Sequence, residues 1–333
     1  MRNSLFLLLF FISLIGLFVL GLQVGSFDID YDVIFKSIYS YNPLDNLHYI
    51  IINLRMPRLI LAFLVGAALA FSGYLMQAMV NNPLAEPFIL GTASGASLGA
   101  SMVYLILPPT LINIFLPSIF AFVGAMGVTL IAILVAYQKG QLMPTKLLLT
   151  GVALSSLTVS LISLMIFFSD DESKLKTVIF WSMGSFELAR WDYIPLLAIT
   201  LILIVILFAF LNKQLNILLL GESRSINLGV NIVKLRWMIL IAASLVTGFS
   251  VATCGPIGFV GLMIPHFVRG IFGVNGRFNI LYTALLGGLF MLICDIVSRK
   301  IYPPSGIPIG IITSFLGIPF FVYLLSKKNY RFN

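Results

Sequence analysis

Apolar runs long enough to cross a bilayer recur along this chain, and no other feature constrains its fold as strongly. A helix needs about 20 apolar residues to span the hydrocarbon layer. Ten candidate runs occur, at residues 5–22, 59–79, 88–107, 114–137, 146–168, 193–211, 237–253, 257–271, 280–297 and 307–325. A backbone in lipid must satisfy its own hydrogen bonds, which leaves helices or closed barrels. Runs of this length read as helices. The expected fold is all-α: a polytopic membrane protein with ten transmembrane helices, a single transmembrane domain over residues 1–333. Composition agrees, since 60% of the 333 residues are hydrophobic and only 10% are charged. Soluble domains carry roughly 25% charge, and none of this length hides so much apolar surface.

The first run starts basic, like a signal peptide, but it extends to about twenty residues and no A-x-A site follows it. It is expected to be a retained first span. Ten spans put both termini on one side; with that side cytoplasmic, 12 Lys and Arg fall inside and 8 outside. That is the bias of the positive-inside rule. Topology therefore accounts for the net charge of +8, and no soluble domain is left over for nucleic acid. Cys254 and Cys294 lie in apolar runs and read as small buried side chains. His48 and His266 are far apart without ligand-like spacing, so no metal site is expected.

Two segments, 24–58 and 169–192, are the largest expected outside. The first contains FDIDYDVIFKSIY, which reads as a short surface helix. The second is amphipathic, with Trp181 and Trp191 suited to the membrane interface. The most basic break between apolar runs is 213–236, where Lys213, Arg224, Lys234 and Arg236 face the single acid Glu222. It reads as a cytoplasmic loop that receives force from a partner.

The second and seventh runs each lead into a break, at Asn81-Asn82-Pro83 and at Gly255-Pro256, a faint echo of the inverted repeats of transporters. The prolines and asparagines of NNPLAEP forbid continuous helix, and Glu86 within it needs solvent or a partner. Gly91, Gly95 and Gly99 are spaced to let helix backbones approach closely; the same smooth face would also suit a path or a sliding contact. Gly255, Gly258 and Gly261 lack a βαβ context and mark a bend. His266, after Pro265, reads as a structural hydrogen-bonding residue. Asp295 and Arg299, four apart, would neutralise each other on a helix. A second reading places Arg299 with Arg55 and Arg58 at the outer rim, facing acidic side chains of a soluble partner.

No G-x-x-x-x-G-K-S/T, H-E-x-x-H or G-x-S-x-G occurs. The runs hold few interior carboxylates, whereas ion-driven carriers need ionisable or unwound polar groups at depth. If the chain transports, its energy is expected to come from another subunit.

The chain resembles the FecCD permease family, the membrane subunits of bacterial ABC importers for iron–siderophore complexes, haem and cobalamin. The residues carrying the resemblance are LRMPR from Leu54, GAALAFSGYLMQAMVNNPLAEPFILGTASGA, LLLTGVALSS, FWSMGSF, LLLGESRSINLGV, GPIGFVGLMIPHFVRG, DIVSR and IPIGIITSFLGIPFFVYLL. The resemblance implies a type II ABC importer permease fold working as a homodimer in the bacterial cytoplasmic (inner) membrane. It implies cytoplasmic ABC ATPase subunits, an extracytoplasmic substrate-binding protein and an iron-chelate cargo. Cobalamin and haem are the alternatives within the family, and an ion-coupled secondary carrier is the alternative outside it. An intramembrane enzyme would need paired catalytic groups at depth, which the runs lack. No cofactor is implied on this chain, because ATP and Mg would sit on the partner ATPase.

Residue by residue, the resemblance assigns ATPase coupling to Gly221, Glu222, Ser223, Arg224, Ser225, Ile226, Asn227, Leu228 and Gly229, as short helices in a groove of the ATPase. It assigns binding-protein docking to Arg55, Arg58 and Arg299. It assigns an inner gate to Asn82, Leu84 and Thr145, with Pro144 standing where the family often has the first of a Ser/Thr pair. Lys213, Lys234 and Arg236 then read as flanking topology anchors.

Overall fold

The computed structural model describes residues 2–138, 141–274, 276–303 and 305–326. Among these described residues fifteen α-helices follow one another: α1 (Arg2–Gln23), α2 (Tyr31–Tyr39), α3 (Asn46–Tyr49), α4 (Met56–Val80), α5 (Thr92–Ile106), α6 (Leu116–Ala136), α7 (Pro144–Phe167), α8 (Glu172–Ser182), α9 (Ile194–Phe210), α10 (Asn212–Leu218), α11 (Glu222–Asn227), α12 (Ile232–Cys254), α13 (Val260–Phe272), α14 (Asn279–Ile301) and α15 (Ile309–Ser326). A two-residue antiparallel ladder, Tyr137–Gln138 with Gln141–Leu142, turns the chain between α6 and α7. Each expected apolar run coincides with a helix. Among the described residues seven helical stretches are long and apolar enough to cross a membrane, while α5, α13 and α15 are shorter apolar helices.

The second run is longer than expected. A π-helical stretch, Ile50–Arg55, joins α3 to α4, so one 35-residue helical run spans Asn46–Val80. Pro57 in the first turn of α4 cannot donate to the preceding turn. The wider π turn just before it keeps the helix continuous across that gap. The arginines of LRMPR are tolerated in the helix because each finds partners.

Helix α4 is the hub. Its spanning window is 83% buried, against 17% for α1, α7 and α9. It packs against α14, α12 and α13, and small residues make that possible. A Cβ on Gly73 would lie 1.9 Å from the Gly261 carbonyl oxygen, and one on Gly66 would lie 2.3 Å from that of Gly287. The expected glycine row packs α5 on α6: Gly95 meets the Gly124 carbonyl and Gly99 that of Phe120. Without a hydrophobic force between helices in lipid, such close backbone contact is the main source of cohesion. Cys254 and Cys294 are buried and free. His266 lies edge-on to Phe320, with 5.6 Å between ring centroids.

The peripheral helices present rows of exposed Leu, Ile, Val and Phe, including Ile15, Leu134, Leu203 and Phe210. Surfaces of this extent need lipid or another chain to cover them. The amphipathic 169–192 segment is bonded into the fold. Helix α8 packs on α5, and beyond it the carbonyls of Met183 and Gly184 accept from the N–H groups of Gly310 and Ile309, while Ser185 N–H donates to Cys254 O. These bonds tie α8, the end of α12 and the start of α15 together.

Candidate functional site

Three regions hold the residues singled out above. In the first, the π-helical stretch and helices α4 and α14 bring Arg55, Arg58 and Arg299 to one cleft, which Glu187 also lines. Asp295 is fully buried between two of them: Arg58 Nε donates to Oδ1 at 2.8 Å, and Arg299 Nη2 pairs with Oδ2 at 3.0 Å. The expected i, i+4 pair therefore forms, with Arg58 added from α4. The remaining donors cap α1. Arg55 Nη1 donates to the carbonyls of Leu22 and Gln23, both at 2.6 Å, and Nη2 to that of Phe27 at 2.7 Å. Arg299 Nη1 donates to Gly21 O at 2.9 Å and Val24 O at 2.6 Å. The last carbonyls of a helix lack intrahelical partners and carry its negative dipole end, so two guanidinium groups are well placed there. Arg55 and Arg299 are buried at 6% and 5% exposure. Arg58 uses only its Nε among the described hydrogen bonds, leaving its terminal amino groups for other contacts.

The second region joins the two helix breaks. Asn81 ends α4 in a left-handed conformation, and Asn82 Oδ1 accepts from Leu84 N–H at 2.9 Å, shaping the turn. Glu86 finds its partner across the bundle, where Oε1 accepts from the Phe259 N–H at 2.6 Å. Phe259 is the N-cap of α13 with φ 69°, a backbone state that costs a bulky residue about 1–2 kcal/mol. The carboxylate on its N–H, at the positive end of α13, favours that state. Gln77 Nε2 adds donations to Gly261 O and Leu262 O at 3.2 and 3.3 Å. Ser72 and Thr247 hydroxyls meet at 2.8 Å, joining α4 to α12. Thr145 stands exposed on the first turn of α7. No hydrogen bond joins it to Asn82 or Leu84 among the described residues; the two segments meet further along, where Gly151 abuts the Ile89 carbonyl.

The third region is α10–α11. Helix α11 is six residues long, and Gly221 and Gly229 on either side of it have φ 97° and 78°. Only glycine takes these values without strain, so the glycines let the chain enter and leave one short helix sharply. Ser225 is buried and donates to Ile217 O and Gly221 O at 2.9 and 2.7 Å, docking α11 on α10. Glu222 accepts from Arg236 of α12 at two points, 3.0 and 3.5 Å. Arg236 is thus more than a topology anchor: it fixes α11 to a spanning helix. Ser223, Arg224 and Asn227 are exposed, as are Ile226 and Leu228 at 59% and 58%. Two exposed apolar side chains thus stand at the C-terminal end of a pinned short helix.

Hub-packed apolar helices, interrupted at two joined breaks and linked to a short peripheral helix, define a polytopic membrane protein. Comparison with known proteins gives the family. The FecCD transport family model matches residues 11–327. The chain is 35% identical to the hemin transport system permease HmuU of Yersinia pestis, covering 88% of each chain. It is 38% identical to the Fe(3+) dicitrate transport permease FecD of Escherichia coli, covering 84% of this chain and 86% of that one. It is 35% identical to the vitamin B12 import permease BtuC of Vibrio vulnificus, covering 89% and 86%. A solved inward-facing chain, assigned to a metal-chelate type ABC transporter, superposes with a TM-score of 0.83 at 30% identity over 97% of this chain and 99% of its own. The protein belongs to the FecCD transport family.

Proposed function

We infer that this chain is the membrane permease of a metal-chelate type ABC importer, and we propose a ferric chelate as its cargo. The observation that carries the reading is α11, a short helix with an exposed apolar face, pinned to α12 by Glu222–Arg236 and to α10 by Ser225. The relatives named for hemin, ferric dicitrate and vitamin B12 support the substrate class, large chelates of a metal. The chain carries no P-loop, so ATP is hydrolysed on partner ATPase subunits. Two copies of this single-domain, ten-span permease form the path in the cytoplasmic membrane, with both termini inside.

Gly221–Gly229 seats in the ATPase. Closure of the ATPase pulls α11, and the Glu222–Arg236 pair passes the motion to α12. From there a contiguous set of contacts leads inward: Thr247 to Ser72 on α4, Gln77 to the start of α13, and Glu86 to Phe259. Asn82, Leu84 and Thr145 form the inner gate next to this set. At the other end, the arginine cluster meets a substrate-binding protein. Arg58 makes the charged contact, while Arg55 and Arg299 hold α1 so that the seat keeps its shape. A path for bulky chelates needs small and apolar linings rather than a tight polar cage.

The test is uptake into proteoliposomes that hold the permease, its partner ATPase and its binding protein, with ferric chelates, haem and cobalamin supplied in parallel. ATP-dependent accumulation of a ferric chelate is expected. Uptake that proceeds without the ATPase and collapses with an uncoupler would instead establish an ion-coupled carrier, and selective uptake of haem or cobalamin would replace the cargo.

A further inference from the structure

A groove of about 460 Å³ opens between α10 and the first turns of α12, beside the connector that follows α11. Lys213, Ile217, Leu228, Val230, Lys234 and Met238 line it, and no acidic residue does. Among the described residues neither lysine takes part in an ion pair or a side-chain hydrogen bond, and the acid of this region, Glu222, is held by Arg236. The groove thus carries two uncompensated cations over an apolar wall.

The wall continues into the bilayer. Leu211, at the end of α9, also lines the groove. One turn deeper on the same faces, Leu207 of α9 and Ile241 of α12 are 44% and 54% exposed, and Phe210 beside them is 83% exposed. Helices α9 and α12 are in contact, so these residues border a furrow leading from the lysines into hydrocarbon. A soluble anion would use the lysines and leave the furrow empty. A lipid uses both, since a phosphate diester suits the cations and acyl chains suit the furrow. Basic pockets between spanning helices at a membrane surface recognise anionic headgroups in this way.

We propose that this groove seats one anionic diacyl phospholipid per chain, its phosphate on Lys213 and Lys234 and an acyl chain between α9 and α12. A lipid seated there touches α10, the Leu228–Asn231 connector and α12 together, and so braces the segment that α11 belongs to. The site stands on family membership and on the groove itself, not on the cargo or the coupling role.

Native mass spectrometry of the intact permease in detergent micelles, titrated with phosphatidylglycerol or with phosphatidylcholine of the same acyl chains, tests it. One phosphatidylglycerol per chain is expected to bind in preference to phosphatidylcholine. Lys213→Gln and Lys234→Gln should each weaken that binding about five-fold, the effect of one interfacial lysine, and the pair should act multiplicatively. Met238→Trp keeps both lysines but fills the groove, and should also release the lipid; Leu211→Trp serves if that variant does not fold. Lys174→Gln, away from the groove, should change nothing. Equal binding of the two lipids, indifference to the lysine pair, or full competition by inorganic phosphate would overturn the proposal. So would retention in the groove-filling variant, which would reduce the effect to diffuse attraction.

Discussion

Around Asp295, Arg55 and Arg299 lie buried with Arg58 half-buried beside them, whereas around α11 the charged side chains stand mostly in the open, with one ion pair among them. The difference separates two uses of charge in a membrane protein. Buried charge must be paired and hydrogen-bonded or it costs several kcal/mol. The Asp295 cluster meets that demand by joining α4, α14 and the end of α1, so its first effect is architectural. Exposed charge costs little and contributes little to stability; what it offers is a surface. The single pair at Glu222 and Arg236 is the exception, and it sits where a short peripheral helix is tied to a spanning one.

Removing charge from each region should therefore have opposite consequences. Asp295→Ala leaves Arg58 and Arg299 facing each other without a counter-ion and should destabilise the fold by about 3–5 kcal/mol, read as a large drop in thermal midpoint in micelles. Arg224→Ala, on exposed α11, should stay within about 0.5 kcal/mol. Comparable losses from the two variants would erase the distinction drawn between the regions.

Arg58→Glu sharpens it within the cluster. Binding-protein docking should weaken by about 2–5 kcal/mol at low salt and less at high salt, because Arg58 has terminal amino groups to spare. Adding Arg55→Glu should deepen the docking loss and also lower stability, since Arg55 holds two carbonyls at the end of α1 and a third, of Phe27, just beyond it. Docking that is unaffected by both changes would end the assignment of these arginines to a partner.

A smaller effect is expected at the uncharged centre. Gly73→Ala sets a methyl group against the Gly261 carbonyl and should cost about 1–3 kcal/mol through overpacking. Thermal unfolding would register it, and a neutral result would mean that α4 and α13 separate more easily than their backbone contact implies.

Much of this was readable beforehand, and the reasons are physical. Long apolar runs announce spanning helices because lipid tolerates little else. The i, i+4 spacing of Asp295 and Arg299 announced their pair. The glycine row of α5 announced close packing. Contacts between distant segments left no such trace: Arg58 reaches Asp295 across 237 residues, and Glu86 reaches Phe259 across 173. Nothing local marks Arg236 as the partner of Glu222, because a turn and a glycine stand between them. The burial of Arg55 and Arg299 was equally hidden. A cationic run before a span reads as exposed until the carbonyls at the end of α1 are found beside it. Helix lengths also escaped the hydropathy pattern, since the bond between Glu86 and Phe259 fixes where α13 begins and the π turn carries α4 outward past Arg55.

Whether α11 transmits force while the arginine cluster holds shape is tested most directly by the double variant Glu222→Ala with Leu228→Asp. The first change cuts the tie to α12, and the second puts charge on the exposed apolar face. ATP hydrolysis and chelate uptake would be measured together in proteoliposomes, with thermal stability as the control. Uptake should be lost while the permease still inserts; Leu228→Asp alone, which leaves buried Arg236 paired with Glu222, should lower uptake with stability unchanged. Uptake at the unmodified rate per ATP hydrolysed would contradict transmission through α11.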